Sequence, residues 1–307
     1  MGLSARGLAT AAFAAIALLA PPAPAVATPR GVNGVIVCDN LSDSPAIEDR
    51  YLYTVDPAQG RMQNITLDRF LWSGPAGASW SPNGRQLAFA GPPVPELTPD
   101  LVSDIFVNDL GHPRSRNLTR TPFAESDPAW SPDGRYIAYT APGPGGDSAI
   151  WRMRPDGSSR QLLVAGGSGA AWSPDGRRLA FSLNGAIYTS DGDGGARRRV
   201  IANGTPNAWP SWSPDGRRIA WSRGLAGDGK AEIWVASATG GSRRRLTRND
   251  ADDLEPSWSP DGRFIAVARA GGPADLLYVI ATGSRRERHL GVACSGPDWQ
   301  RRPGARR

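Results

Sequence analysis

From Ser79 onward the hydrophobic and polar positions follow a pattern that starts over about every forty residues. "SWSPNGRQLAF" begins at Ser79, "AWSPDGRYIAY" at Ala129, "AWSPDGRRLAF" at Ala171, "SWSPDGRRIAW" at Ser211 and "SWSPDGRFIAV" at Ser257. In each copy a short stretch ending in Trp meets a Ser-Pro-Asp/Asn-Gly turn, and apolar and polar residues then alternate. Alternation with period two beside such a turn predicts a β-hairpin. Pro fixes φ at the first corner, Asp or Asn tolerates the next, and Gly supplies the positive φ that closes it. A third strand is predicted in every copy, at 51–56, 104–109, 149–154, 186–191, 232–237 and 276–281. A Gly-bearing turn then leads to a fourth: "QNITL", "SRNLT", "RQLLV", "RRRVI", "RRRLT" and "RRERHL".

The repeat is marked by Trp80, Trp130, Trp172, Trp212, Trp258 and Trp299, the last in a truncated copy, "GPDWQ", that starts at Gly296. A period near forty filled with short strands is the signature of a propeller blade. Four strands in each of six copies predict an all-β chain, a six-bladed β-propeller over 31–300. Residues 34–67 supply only a second, third and fourth strand, and "GPDWQ" supplies only a first. Pairing the two ends therefore completes a sixth blade and closes the ring. The tryptophans are expected between blades, where large aromatics fill the gap.

The hairpins pair each Trp with the Leu or Ile seven residues on, which sets Ala90 opposite Gly77. Cys38 matches Ala90 and Gly296 matches Gly77, so Cys294 is a diagonal neighbour of Cys38. A disulfide needs Cα atoms within about 7 Å, so an inward fold of the loop would allow the bond Cys38–Cys294. Two buried free thiols are the other reading.

Tandem "WSPDGRxIAF" copies followed by "IWxxxxxGxxRRLT" resemble the TolB-type, WD40-like propeller repeats, and "PDWQ" is similar to that family's last strand. The resemblance covers nearly all of the chain after residue 30. It implies a periplasmic or secreted propeller that binds proteins. TolB itself carries an additional α/β domain before its blades, whereas here the blades begin close behind the N-terminal apolar segment.

That segment, residues 1–27, reads as a cleavable export signal. Arg6 supplies the positive region, Gly7 to Ala20 the apolar region, and Ala23 to Ala27 small-residue sites for cleavage after Ala25 or Ala27. The expected product is a soluble, exported monomer, periplasmic or extracellular, with no membrane span after cleavage and a basic tail at 301–307. Export also favours cysteine oxidation. The net charge of +6 is modest and implies no nucleic-acid partner.

Little in the sequence points to catalysis. "GLAGDGKA" (224–231) lacks the Ser or Thr of a phosphate-binding loop and joins two strands. The Asp and Gly of the turns are adjacent, unlike the spacing of the sialidase Asp-box. "GGSGA" (166–170) misses the last Gly of a nucleophile elbow. With only His112 and His289, a histidine metal or acid–base site is not expected. No cofactor is predicted.

Carboxylates are the remaining signal. Loops entering first strands carry Glu125, Asp127, Asp250, Asp252, Asp253 and Glu255, and loops between second and third strands add Glu96, Asp100, Asp147 and Asp228. Both loop sets open on one face, around the channel mouth. Glu125, Asp127, Asp252, Asp253 and Glu255 are therefore the expected partner-binding set, facing an envelope or secreted protein or peptide. Calcium or solvated loops are other readings. The expected function is a non-enzymatic binding or scaffolding module of the cell envelope. The alternative is a carboxylate-dependent polysaccharide lyase or glycosidase at the acidic mouth. Arginine triplets at 197–199, 243–245 and 285–288 suggest a rim stripe, either protecting strand edges or meeting anionic polymers.

Overall fold

The computed structural model describes residues 32–39, 52–65, 76–92, 102–112, 114–224, 230–271 and 275–302. The export-signal segment, residues 303–307 of the tail, and Glu96, Asp100 and Asp228 lie outside these residues. No helix among the described residues is long and apolar enough to cross a membrane.

Six four-stranded antiparallel sheets form the blades of a closed ring. Their innermost strands are Ala76–Trp80, Ser126–Trp130, Gly167–Trp172, Asn207–Trp212, Asp252–Trp258 and Ser295–Arg302. The last of these is the C-terminal strand. It pairs with Val32–Asp39, so the composite sheet, here blade 1, runs C-terminal strand, then first, second and third strands of the chain. Blades 2 to 6 follow in sequence order. Arg301 and Arg302 continue the closing strand and do not begin the tail.

Every hairpin pairs its Trp with the residue seven positions on: Trp80 with Leu87, Trp130 with Ile137, Trp172 with Leu179, Trp212 with Ile219 and Trp258 with Ile265. The register then shifts. Ala90 lies opposite Ala76, one residue away from the expected Gly77, because each inner strand carries a β-bulge three residues before its Trp. The extra residue in the bulge displaces every pairing beyond it.

The core is divided into six wedges, one between each pair of neighbouring blades. Each contains one repeat Trp, at most 2% exposed. Trp172 and Trp212 also donate their indole N–H across the wedge, to the carbonyls of Ala129 and Ala171, both at 3.2 Å. The turn residues are held by side chains. In blade 5 Ser213 Oγ donates to Asp215 Oδ1 at 2.6 Å while accepting the Arg218 amide at 2.9 Å, and the Arg217 amide donates to Asp215 Oδ1 at 3.0 Å. The same net recurs at Ser131 and Asp133, at Ser173 and Asp175, and at Ser259 and Asp261. This is why Ser and Asp return in the repeat: they replace ladder partners at the turn.

The rim arginines have a structural use that the sequence did not reveal. Arg160, Arg197 and Arg243 each bond a turn carbonyl of their own blade and reach a carbonyl in or just past the fourth strand of the preceding one, Leu118, Leu163 and Val200 respectively. In the other direction Arg116, Arg244 and Arg288 bond carbonyls in the next blade's turn. Charge-assisted bonds of this kind join blade to blade around the perimeter.

The outer strands of blades 2 and 5 are only two residues long, Arg116–Asn117 and Arg244–Arg245. There a threonine replaces the ladder. Thr119 Oγ1 accepts the Ile105 amide and Thr247 Oγ1 the Ile233 amide, both at 2.9 Å.

Candidate channel-mouth site

The bulge position is where the six blades differ. Three residues before the repeat Trp stand Gly77, Asp127, Gly169, Trp209, Glu255 and Gly296, and all six have φ between 52° and 59°. Glycine enters this left-handed region without cost, while a side chain there is strained by about 1–3 kcal/mol. Blades 3, 5 and 6 nonetheless carry Asp127, Trp209 and Glu255. Each is followed by proline, which further restricts the residue before it. The three are buried, 1%, 8% and 6% exposed.

Two of the side chains at the bulge reach the bulge of a neighbouring blade, Glu255 that of the following blade and Trp209 that of the preceding one. Glu255 Oε2 accepts the Gly296 amide at 2.6 Å, and the Trp209 ring lies in van der Waals range of a Cβ built on Gly169. Asp127 and Glu255 belong to blades 3 and 6, opposite one another in the ring, and Asp127 still helps to raise the Glu255 pKa.

Burial pushes Asp127 up to about 7, against smaller opposing effects from Thr140, Ser126 and the Gly169 amide. Its Oδ2 accepts from Ser126 Oγ at 3.1 Å, and Oδ1 is buried without a hydrogen bond among the described residues. Burial, followed by the Asp39 carboxylate, holds Glu255 well above the usual carboxylate range.

A second set of contacts lies two residues further along the inner strands, at the residue before the Trp. Ser79 Oγ accepts the Trp130 amide at 3.3 Å, and Ser211 Oγ accepts the Trp258 amide at 3.4 Å. In the closing strand Asp298 takes the serine's place. Fully buried, it accepts the Trp80 amide at 2.9 Å and Ser257 Oγ at 3.4 Å, and burial pushes it up to about 8.

The other carboxylates singled out in the sequence are engaged within the blades. Asp253 is fully buried, paired with Arg269 at 2.6 Å and bonded by Asn249 Nδ2 at 2.7 Å. Glu125 Oε1 accepts Thr121 Oγ1 at 2.9 Å, and the residue is 2% exposed. Asp252 is half-buried and its Oδ1 accepts the Ala231 amide at 2.6 Å. Asp147 and Asp250 are exposed. No group of three or more His, Cys, Asp or Glu among the described residues is placed to hold a metal ion.

Trp209, Asp298 and Asp39 were not singled out in the sequence. The available signal for Trp209 was a second Trp in "NAWPSW", standing where three other copies have glycine.

A family model for the TolB beta propeller domain matches residues 169–296. No curated protein matches the chain. Among solved structures the fold is similar to TolB from Acinetobacter baumannii, with a TM-score of 0.72 and 23% identity over 87% of this chain and 66% of that one. This chain thus spans less than two thirds of that protein. It is also similar to a protein of Agrobacterium tumefaciens assigned to TolB (TM-score 0.67, 20% identity, 86% of this chain and 91% of that one). Kuenenia stuttgartiensis hydrazine synthase shares the fold as well (TM-score 0.69, 12% identity, 88% and 47%). A fold common to these proteins does not by itself select a function.

Proposed function

We propose that the chain is an exported, non-enzymatic propeller that binds a protein or peptide of the cell envelope at its channel mouth. The observation that carries this reading is the collar of Asp127, Trp209 and Glu255. Strained, buried, chemistry-bearing side chains occupy half of the six equivalent positions, while glycine fills the rest without strain. Strain kept at a few members of a repeat points to use and not to architecture. The resemblance to TolB-type propellers supports export and protein binding. Asp252, at the half-buried entrance, extends the same surface, with Glu125 and Asp253 fixing the loops beneath it.

The repeat itself supplies the control. The triple variant Asp127→Gly, Trp209→Gly, Glu255→Gly installs the residue that the sister blades use. The immobilised parent is expected to retain one envelope protein that the triple variant loses, while the variant still unfolds in one cooperative transition, at a temperature lowered by the loss of the buried Trp209 ring. Equal retention by both would remove the collar from the reading.

The raised carboxyls favour one other reading, an acid-catalysed lyase or glycosidase, since a general acid must stay protonated near neutral pH. Cleavage of an envelope polysaccharide by the parent, lost in Asp127→Asn, would establish it.

A further inference from the structure

The wedge grooves of the ring are alike in construction, and two of them show what fills the space beside the repeat Trp. Between blades 4 and 5 the Arg178 guanidinium lies 4.5 Å over the Trp212 ring, and between blades 5 and 6 the Arg218 guanidinium lies 4.7 Å over Trp258. Both arginines open the second strand of the earlier blade. At the seam, between blades 6 and 1, that position is Phe264.

A cleft of about 440 Å³ opens at the seam. Its walls include Phe264, Val279, Arg288, Asp56 and Trp299. The register matches these positions one by one to the neighbouring groove. Val279 faces Arg288 across the strand pair as Val235 faces Arg244, and Trp299 stands where Trp258 stands. Trp299 is covered, at 1% exposed, so the partly exposed aromatic of the cleft is Phe264. Asp56, half-buried on the opposite lip, contributes a carboxylate whose Oδ1 holds its own turn through the Ala58 and Gln59 amides.

We propose that this seam cleft is a binding site for an arginine side chain of a partner polypeptide. In the sister grooves a guanidinium, a planar cation that stacks on aromatic faces, lies over the repeat Trp from Phe264's position. Phe264 offers such a face and Asp56 a countercharge. The space exceeds what a guanidinium alone needs, which suits a residue carried on a peptide. Arg288 does not exclude a second cation. Its counterpart Arg244 already has the Arg218 guanidinium close by, near enough to lower its pKa behind the effects of burial and Arg285. Arg288 is itself bonded to the carbonyls of Pro57 and Ala58. This site is separate from the channel mouth.

The test is calorimetric titration of the mature chain with an acetylated, amidated Gly-Arg-Gly peptide and with its neutral citrulline counterpart. The arginine peptide is expected to bind and the citrulline peptide to bind at least tenfold more weakly. Phe264→Arg, which gives the seam its sister grooves' filler, should weaken arginine-peptide binding at least tenfold in a folded protein. Ala58→Trp, at an exposed lip of the cleft, should do the same without touching the core. The triple glycine variant of the channel should bind the arginine peptide as the parent does. No binding of the arginine peptide, equal binding of the citrulline peptide, or unchanged binding in both cleft variants overturns the proposal. Loss of binding in the channel variant would move the site to the channel and overturn it equally.

Discussion

Cys38 and Cys294 are bonded across the ring seam with their Cα atoms 5.5 Å apart. They occupy the pair of positions that Trp221 and Asn207 fill in blade 5, where the indole N–H donates to Asn207 Oδ1 at 2.8 Å. In both blades the first residue lies opposite the bulge, and the second lies five residues before the repeat Trp. The bulge supplies the inward fold that joins two diagonal positions. The bond closes a loop of 256 residues, for which chain entropy predicts about 5 kcal/mol. The denatured, non-reduced protein should therefore show no reactive thiol, and reduction should lower the melting temperature by several degrees. Two thiols titrating per chain would refute the bond.

Stability should fall as pH rises through neutrality, and Asp298 should account for part of the fall. Burial lifts its pKa from 3.8 to about 8. Between those values the folded chain holds a proton that the unfolded chain has released, so each pH unit costs up to about 1.4 kcal/mol. The stability is fully present below about pH 4, and the loss is complete above about pH 8. Asn at 298 keeps an acceptor for the Trp80 amide and does not ionise. Urea denaturation at pH 5 and pH 8.5 should show Asp298→Asn losing less stability than the parent. Parallel profiles would show that Asp298 does not carry the dependence.

Asp127→Gly should stabilise the protein. It relieves a left-handed backbone at φ 52° and removes a buried carboxyl with a pKa of about 7. The gain should be about 1–3 kcal/mol, larger at pH 8 than at pH 5, because the ionised carboxylate suffers more from burial than the neutral acid. Denaturant midpoints at the two values check both the sign and the trend. A lower midpoint for the variant at pH 8 would mean that the bulge is not strained.

Gly240→Ala should be severe. Gly240 has φ 91°, and an added Cβ would stand 2.2 Å from the Val200 carbonyl oxygen in the preceding blade. The expected loss is about 3 kcal/mol or more, combining strain with a forced separation of blades. Arg243→Ala removes only the bonds to Gly240 and Val200 and should cost about 1–2 kcal/mol. Arg199→Ala, at an exposed position, should be near neutral. Thermal melts of the three variants test the ranking, and equal effects for Arg243 and Arg199 would exclude the inter-blade role.

The sequence by itself determined the ring. Period, strand count, the Trp register and the closure by "GPDWQ" were legible because blades are local structures that repeat, so each copy corroborates the others. The disulfide was within reach for the same reason, as an extension of the hairpin register. Only the tertiary structure decided which carboxylates face the channel and which are tied into a blade. Asp253 and Glu255 stand two residues apart on one strand, yet one is paired with Arg269 and the other accepts the Gly296 amide of the neighbouring blade. That difference arises from a bulge whose φ is set by packing between blades. Its local trace was glycine at three of six aligned positions, and the Asp, Trp and Glu at the other three hid it.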